Sequence, residues 1–153
     1  MNHQYRKFSP LLLVALCGCA SVKYGNKDAE LELKKLQSIP EKVSLYVCRE
    51  NAVFVGAGVR TIVYVDNIAI GTLKPNNFAH VVVIPGKHEV YIDRGGLSGN
   101  SGVLNIDTKT GEVAYVWVGM TGGGFGTLTV DFFRSTSDAQ KCVSGAEYAI
   151  KAE

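Results

Sequence analysis

The sequence predicts an all-β domain: a small antiparallel β-sandwich of about eight strands with a short terminal helix, preceded by a signal peptide and a polar tether. Three observations predict it. From Val43 to Arg134, short runs rich in Val, Ile, Thr and Tyr follow one another at close spacing, the composition that suits a pleated, half-buried surface. Gly, Pro, Asn or Asp punctuates the gaps between them. Beyond the last run, Ala139, Cys142 and Val143 recur at helical spacing instead of alternating.

The N-terminal residues read as a targeting segment. Arg6 and Lys7 form a positive start, and Pro10 to Gly18 is an apolar stretch led by Leu11, Leu12 and Leu13. About ten apolar residues are too few for a membrane-spanning helix, which needs roughly 20. Leu16-Cys17-Gly18-Cys19 resembles the lipobox of bacterial lipoproteins: an aliphatic residue, a variable one, a small one, then the cysteine that takes lipid. Gly18 fits the small pocket a signal peptidase offers before the cut. A cut before Cys17 would instead force Leu16 into that pocket, so Cys19 is the expected lipid attachment site. The rival reading is an ordinary secretory signal cut near Cys-Ala-Ser. Ala20 and Ser21 follow the cysteine, and resemblance to enteric lipoproteins implies that the absence of aspartate there favours the outer membrane, facing the periplasm. The expected division is residues 1–18 signal peptide, 19–42 lipidated tether and 43–153 β-sandwich domain.

Within the tether, Asp28 to Ser38 reads either as a short helix or as a strand. Acidic Asp28, Glu30 and Glu32 precede basic Lys34 and Lys35, which suits a helix dipole, and Glu30 and Lys34 are ordered for an i,i+4 pair. Ala29 to Leu33 nevertheless alternates with period two. Pro40 ends either element.

The expected strands are Val43–Glu50, Arg60–Asp66, Ile68–Leu73, Phe78–Ile84, His88–Arg94, Gly102–Thr108, Val113–Met120 and Thr127–Arg134. Asp66-Asn67 suits a tight turn because both side chains tolerate left-handed backbone. Ile84-Pro85-Gly86-Lys87 suits a type II turn, and Thr110-Gly111 is a third turn. Ser137 is the expected cap of the terminal helix and Gly145 its end.

Leu45-Tyr46-Val47-Cys48-Arg49, then Val63-Tyr64-Val65-Asp66-Asn67 with Ile70-Gly71, then Pro85-Gly86-Lys87-His88 together resemble a bacterial lipoprotein family of uncharacterised function. Its members read roughly YVYR … VYVDG … IG.L … PGKH. The resemblance spans about Lys42 to Arg134. Asn67 stands in place of a turn glycine, and Cys48 in place of an aromatic. The same core looks like surface-layer β modules of envelope proteins. The resemblance implies a small β-sandwich lipoprotein and carries over no catalytic residue.

Processing changes the composition. Removing residues 1–18 leaves about 135 of the 153 residues, enough for one domain. Arg6 and Lys7 leave with the signal, so the 16 basic residues less these two balance the 14 acidic ones. A near-neutral chain without a basic patch gives no surface for nucleic acid. Cys17 leaves and Cys19 is lipidated, so Cys48 and Cys142 remain. They are either a disulfide or two buried thiols, and an oxidising compartment favours the disulfide.

Gly122-Gly123-Gly124-Phe125-Gly126 is the candidate binding loop, with backbone donors and one aromatic; its plainer reading is a hairpin connection. It lacks the Lys-Ser/Thr pair of a phosphate loop. Gly95 to Gly102 has the same character, and the two loops would frame a ligand if they met at one end of the sandwich. His80 and His88 do not have the spacing of three or four converging metal ligands, and no cofactor is expected. Ser98 and Ser101 have no identifiable base, so no catalytic residue is assigned. Thr61 to Val65, Val81 to Ile84 and Val113 to Val118 are apolar on both faces. They are either strands covered on both sides or, with Tyr115 and Trp117, a face that docks a partner. The chain is thus expected to be a membrane-anchored, non-catalytic binding or adapter module of the cell envelope, with an envelope protein or another copy of itself as partner. The alternatives are an inhibitor or protective lipoprotein and, further off, an envelope hydrolase.

Overall fold

The computed structural model describes residues 22–52, 58–95, 100–121 and 127–152. In chain order the elements are β1 (Lys23–Tyr24), α1 (Lys27–Leu33), β2 (Val43–Arg49), β3 (Thr61–Val65), β4 (Ile68–Leu73), β5 (Asn77–Val83), β6 (Gly86–Asp93), β7 (Leu104–Thr108), β8 (Val113–Thr121), β9 (Thr127–Phe132), α2 (Thr136–Gly145) and β10 (Glu147–Ile150). The strands make two sheets, β1-β10-β5-β2-β8-β9 and β4-β3-β6-β7. This is the all-β sandwich with a helix near its end. Each of the expected runs forms its strand, and β1 and β10 add to them. The six-stranded sheet is mixed, because β2 pairs parallel to β8 and β10 parallel to β5. Parallel neighbours require long crossover connections, and here β3, β4, β6 and β7 lie in the chain between β2 and β8.

Alternation along β2 decides the layering. Leu45 and Val47 point inward and meet Val63, Val65, Leu73, Val90 and Ile92 of the four-stranded sheet, with Val116 and Val118 beside them. Tyr46 and Cys48 point outward, into a second cluster with Phe78, Val143 and Ala146 that α1 and α2 cover. All seven residues of β2 are buried, so it is a central strand sandwiched on both faces. That is why apolar side chains, Leu45 and Val47 on one side and Tyr46 and Cys48 on the other, stand on both of its faces. β3 by contrast alternates: Thr61, Val63 and Val65 are buried, while Ile62 and Tyr64 are only half so. On that outer face Tyr64 stacks on Tyr91, ring centres 4.9 Å apart. Val82 and Ile84 are exposed.

The turns follow their residues. Asp66 and Asn67 both have positive φ, 48° and 65°, the requirement of a two-residue type I′ hairpin between β3 and β4. Gly71 sits at a close approach of the two sheets: a Cβ there would lie 2.9 Å from Ala79 Cβ and 3.0 Å from the Ala149 carbonyl oxygen.

Two expectations are corrected. Residues 22–36 lie in the stretch expected to be a tether, yet they belong to the fold. Lys23 and Tyr24 pair with Ile150 and Ala149, and of the two readings of the segment from Asp28 the helix is the one that forms. The polar composition misled because the buried member of α1 is a carboxylate. Glu30 is 4% exposed and accepts hydrogen bonds from Lys27 Nζ (2.7 Å), Lys34 Nζ (2.9 Å) and the Tyr148 amide (3.1 Å). The cap of α2 is Ser135, not Ser137: its Oγ accepts from the Asp138 amide and donates to the Asp138 carboxylate. Ala139 and Val143 are buried beneath it, as the helical spacing requires.

Candidate binding groove

The outer face of the six-stranded sheet is covered over β2 and β5. Tyr46 donates its hydroxyl to the Leu33 carbonyl (2.8 Å), tying the end of α1 to the sheet. Phe78 stacks on Tyr148, ring centres 5.3 Å apart, and Tyr148 lies so close to Gly25 that a Cβ there would collide with the ring. Cys48 and Cys142 form a disulfide that fastens α2 to β2. Burial pushes the Glu30 carboxyl up, but its three hydrogen bonds outweigh this and hold its pKa at about 2.

Over β8 and β9 the cover stops. A hollow of about 770 Å³ opens there, with Trp117, Met120, Phe132 and Phe133 as its apolar lining. Glu50, Asp131, Arg134 and Asp138 line it as well. Trp117 lies over Gly119, where any Cβ would collide with the indole, so the glycine permits the ring to lie along the strand. Phe132 is 56% exposed on β9, the edge of the sheet. Beyond the Phe132–Arg134 segment a second hollow of about 430 Å³ runs against Thr108, Val113, Tyr115 and Ala139. An aromatic floor with a charged rim holds an apolar group while orienting a polar one.

The residues singled out in the sequence are placed as follows. Cys19 and Gly122–Gly126 lie outside the described residues. Thr121 pairs with Thr127, so the glycine segment joins two antiparallel neighbours. Gly96 to Gly99 also lie outside them. The described ends of both glycine loops emerge at one end of the sandwich. Asp93 pairs with Ile62 at the start of β3, and the start of β3 meets the end of β2 through Arg49, whose neighbour in β8 is Val118.

His80 and His88 are both held within the fold. His80 Nε2 lies 2.8 Å from Ser44 Oγ, its ring packs 4.6 Å from Tyr46, and burial lowers its pKa to about 4. Ser44 is 1% exposed, beyond the reach of a substrate carbonyl. His88 Nδ1 lies 2.7 Å from the Asp66 carboxylate and Nε2 2.8 Å from the Ile84 carbonyl. Both partners are acceptors, so the protonated ring, with two donors, is the form that satisfies both. Burial pushes its pKa down, but the bonds to Asp66 and Ile84 outweigh that and raise it. Asp66 moves the opposite way: burial raises its pKa, and His88 with the Glu89 amide bring it below the ordinary value. The Asp66-Asn67 and Pro85-Gly86-Lys87-His88 motifs are therefore two halves of one clasp. Ser101 Oγ accepts from the Ile92 amide and donates to the Gly102 carbonyl.

One internal residue went unremarked in the sequence. Arg49 is 1% exposed and donates to the Val59 carbonyl (2.7 Å) and more weakly to that of Leu73 (3.3 Å), with burial lowering its pKa to about 10. Its parity with Val43, Leu45 and Val47 was the signal that it points inward. Among the described residues no three or more His, Cys, Asp or Glu gather as a metal-binding group. No protein-family model and no curated protein matches the chain.

Proposed function

We propose that this chain is a lipid-anchored protein of the cell envelope that works as a non-catalytic binding or adapter module. It is attached through Cys19 and presents the groove between β9 and α2 to a protein partner. The observation that carries the reading is the break in the cover of the six-stranded sheet. There Trp117, Phe132 and Phe133 line a hollow of about 770 Å³, while Tyr46, Cys48 and Phe78 of the same sheet are buried under the cap. Aromatic side chains in such a setting supply large contact area at low entropic cost and are enriched at binding interfaces. The Cys48–Cys142 disulfide supports an oxidising compartment, and the lipobox residues support the anchor. Ser44 beside His80 resembles a nucleophile with its base, but its burial under the cap weighs against hydrolysis.

The test is competition for a partner in intact envelopes. Affinity-tagged wild type is expected to retain a specific protein that Phe132→Ala and Trp117→Ala variants of equal abundance release. Equal retention by all three chains rejects the groove as the binding surface. Acyl labelling of the wild type but not of Cys19→Ser is expected, and equal labelling rejects the anchor.

A further inference from the structure

If Cys19 carries lipid, as proposed above, the fold of residues 22–36 leaves almost no tether. Only Ala20 and Ser21 separate that cysteine from Val22, which packs against the inter-sheet core, and from β1, which is hydrogen-bonded to β10. Three peptide steps reach at most about 11 Å. The domain cannot stand off on a long leash; it has to rest on the lipid surface by the edge where β1 lies.

That edge has the chemistry for it. Lys23 is exposed on β1, Lys151 is exposed directly after β10, and Lys74 is exposed with its ammonium 5.4 Å from the centre of the Tyr24 ring. Tyr24 is itself 39% exposed. Lysines around an amphipathic aromatic suit the headgroup layer of a membrane with anionic lipids. Among the described residues, Asp28 and Glu147 are the exposed acids nearest in the chain to Lys23 and Lys151, and Lys27 and Lys34 are engaged by Glu30.

We propose that the β1 edge is a membrane-docking surface for anionic phospholipid headgroups, with the six-stranded sheet standing edge-on to the bilayer. Sheet order then puts β9 at the far edge, five strand spacings away, about 24 Å. The lipid holds one edge down, and the Trp117–Phe132 groove faces the aqueous compartment.

The experiment uses the full lipidated chain in vesicles of phosphatidylethanolamine and phosphatidylglycerol containing brominated lipid. Trp117 is the sole tryptophan of the wild type and reports the groove. A Tyr24→Trp variant adds a probe at the docking edge, and Lys151→Trp repeats it outside any strand. Expected is bromine quenching at positions 24 and 151 with little at Trp117, and loss of the quenching at position 24 when Lys23, Lys74 and Lys151 are changed to Glu. With Cys19 acylated, quenching at Trp117 equal to that at the edge probes, or edge quenching indifferent to those charges, overturns the docking surface. No acyl group on Cys19 overturns the anchor itself and the docking surface with it.

Discussion

Around Tyr46, Cys48 and Phe78 the outer face of the six-stranded sheet is sealed by α1, α2 and a disulfide, and Tyr46 and Phe78 are fully buried there. Over β8 that face carries Trp117, and at the β9 edge Trp117, Phe132 and Phe133 line an open hollow. The two halves share a sheet and a composition and differ in what lies on top. In the first half the aromatic side chains hold the cap on; in the second Trp117 is half-buried and Phe132 is exposed. Stability and binding should therefore separate cleanly between them, and several substitutions can break or sharpen that separation.

The largest effect belongs to the disulfide. It closes a loop of 94 residues, and in the chain-entropy model such a bond contributes about 4–5 kcal/mol. Urea denaturation of Cys48→Ala/Cys142→Ala against wild type is expected to lose stability of that order. An unchanged midpoint would mean that the cap does not depend on the bond. Next comes the aromatic under the cap. Phe78→Ala should cost about 3–5 kcal/mol, whereas Phe132→Ala on the open half should stay within about 0.5 kcal/mol. Equal losses would erase the distinction between the halves. Gly71→Ala tests the close approach of the sheets, and overpacking there is expected to cost about 1–3 kcal/mol.

The smallest effects are the two histidines, which titrate in opposite senses. His88, raised by its two acceptors, adds stability that is complete below the ordinary histidine pKa, about 6.5, and is lost as pH rises through its folded value. Its partner Asp66 is lowered, so its contribution holds above the ordinary aspartate value and fades as pH falls through the lowered one. His80 sits neutral in the sealed half with a pKa of about 4. Its burial subtracts stability as pH falls from about 6.5 toward that value. NMR titration of the imidazole resonances should place His80 below and His88 above the ordinary range. Coincident midpoints would contradict both environments.

The strands between Val43 and Arg134 were legible because their signals are local: β-branched residues in short runs, and turn residues such as Asp66-Asn67 between them. β1 and β10 were not legible. They are two and four residues long and exist because Lys23 meets Ile150 across the length of the chain. The α1 segment read as part of a polar tether because nothing in its composition says that Lys27, Lys34 and the Tyr148 amide converge on Glu30. Cys48 and Cys142 could be paired by count and compartment. The groove was half visible. The sequence drew attention to Trp117 as part of an apolar face, but where that face is open depends on where α2 lies over the sheet, which is a tertiary fact. For the two histidines the sequence offered no partner, because theirs, Ser44 and Asp66, lie far away in the chain.

The claim that the open half is the working surface is tested most directly by a photocrosslinking residue placed at Phe132 and, separately, at exposed Glu89 on the four-stranded sheet, in cells with intact envelopes. The account predicts one discrete adduct from position 132, abolished by Trp117→Ala, and none from position 89. Adducts of the same size and yield from both positions, or from position 132 regardless of Trp117, would contradict it.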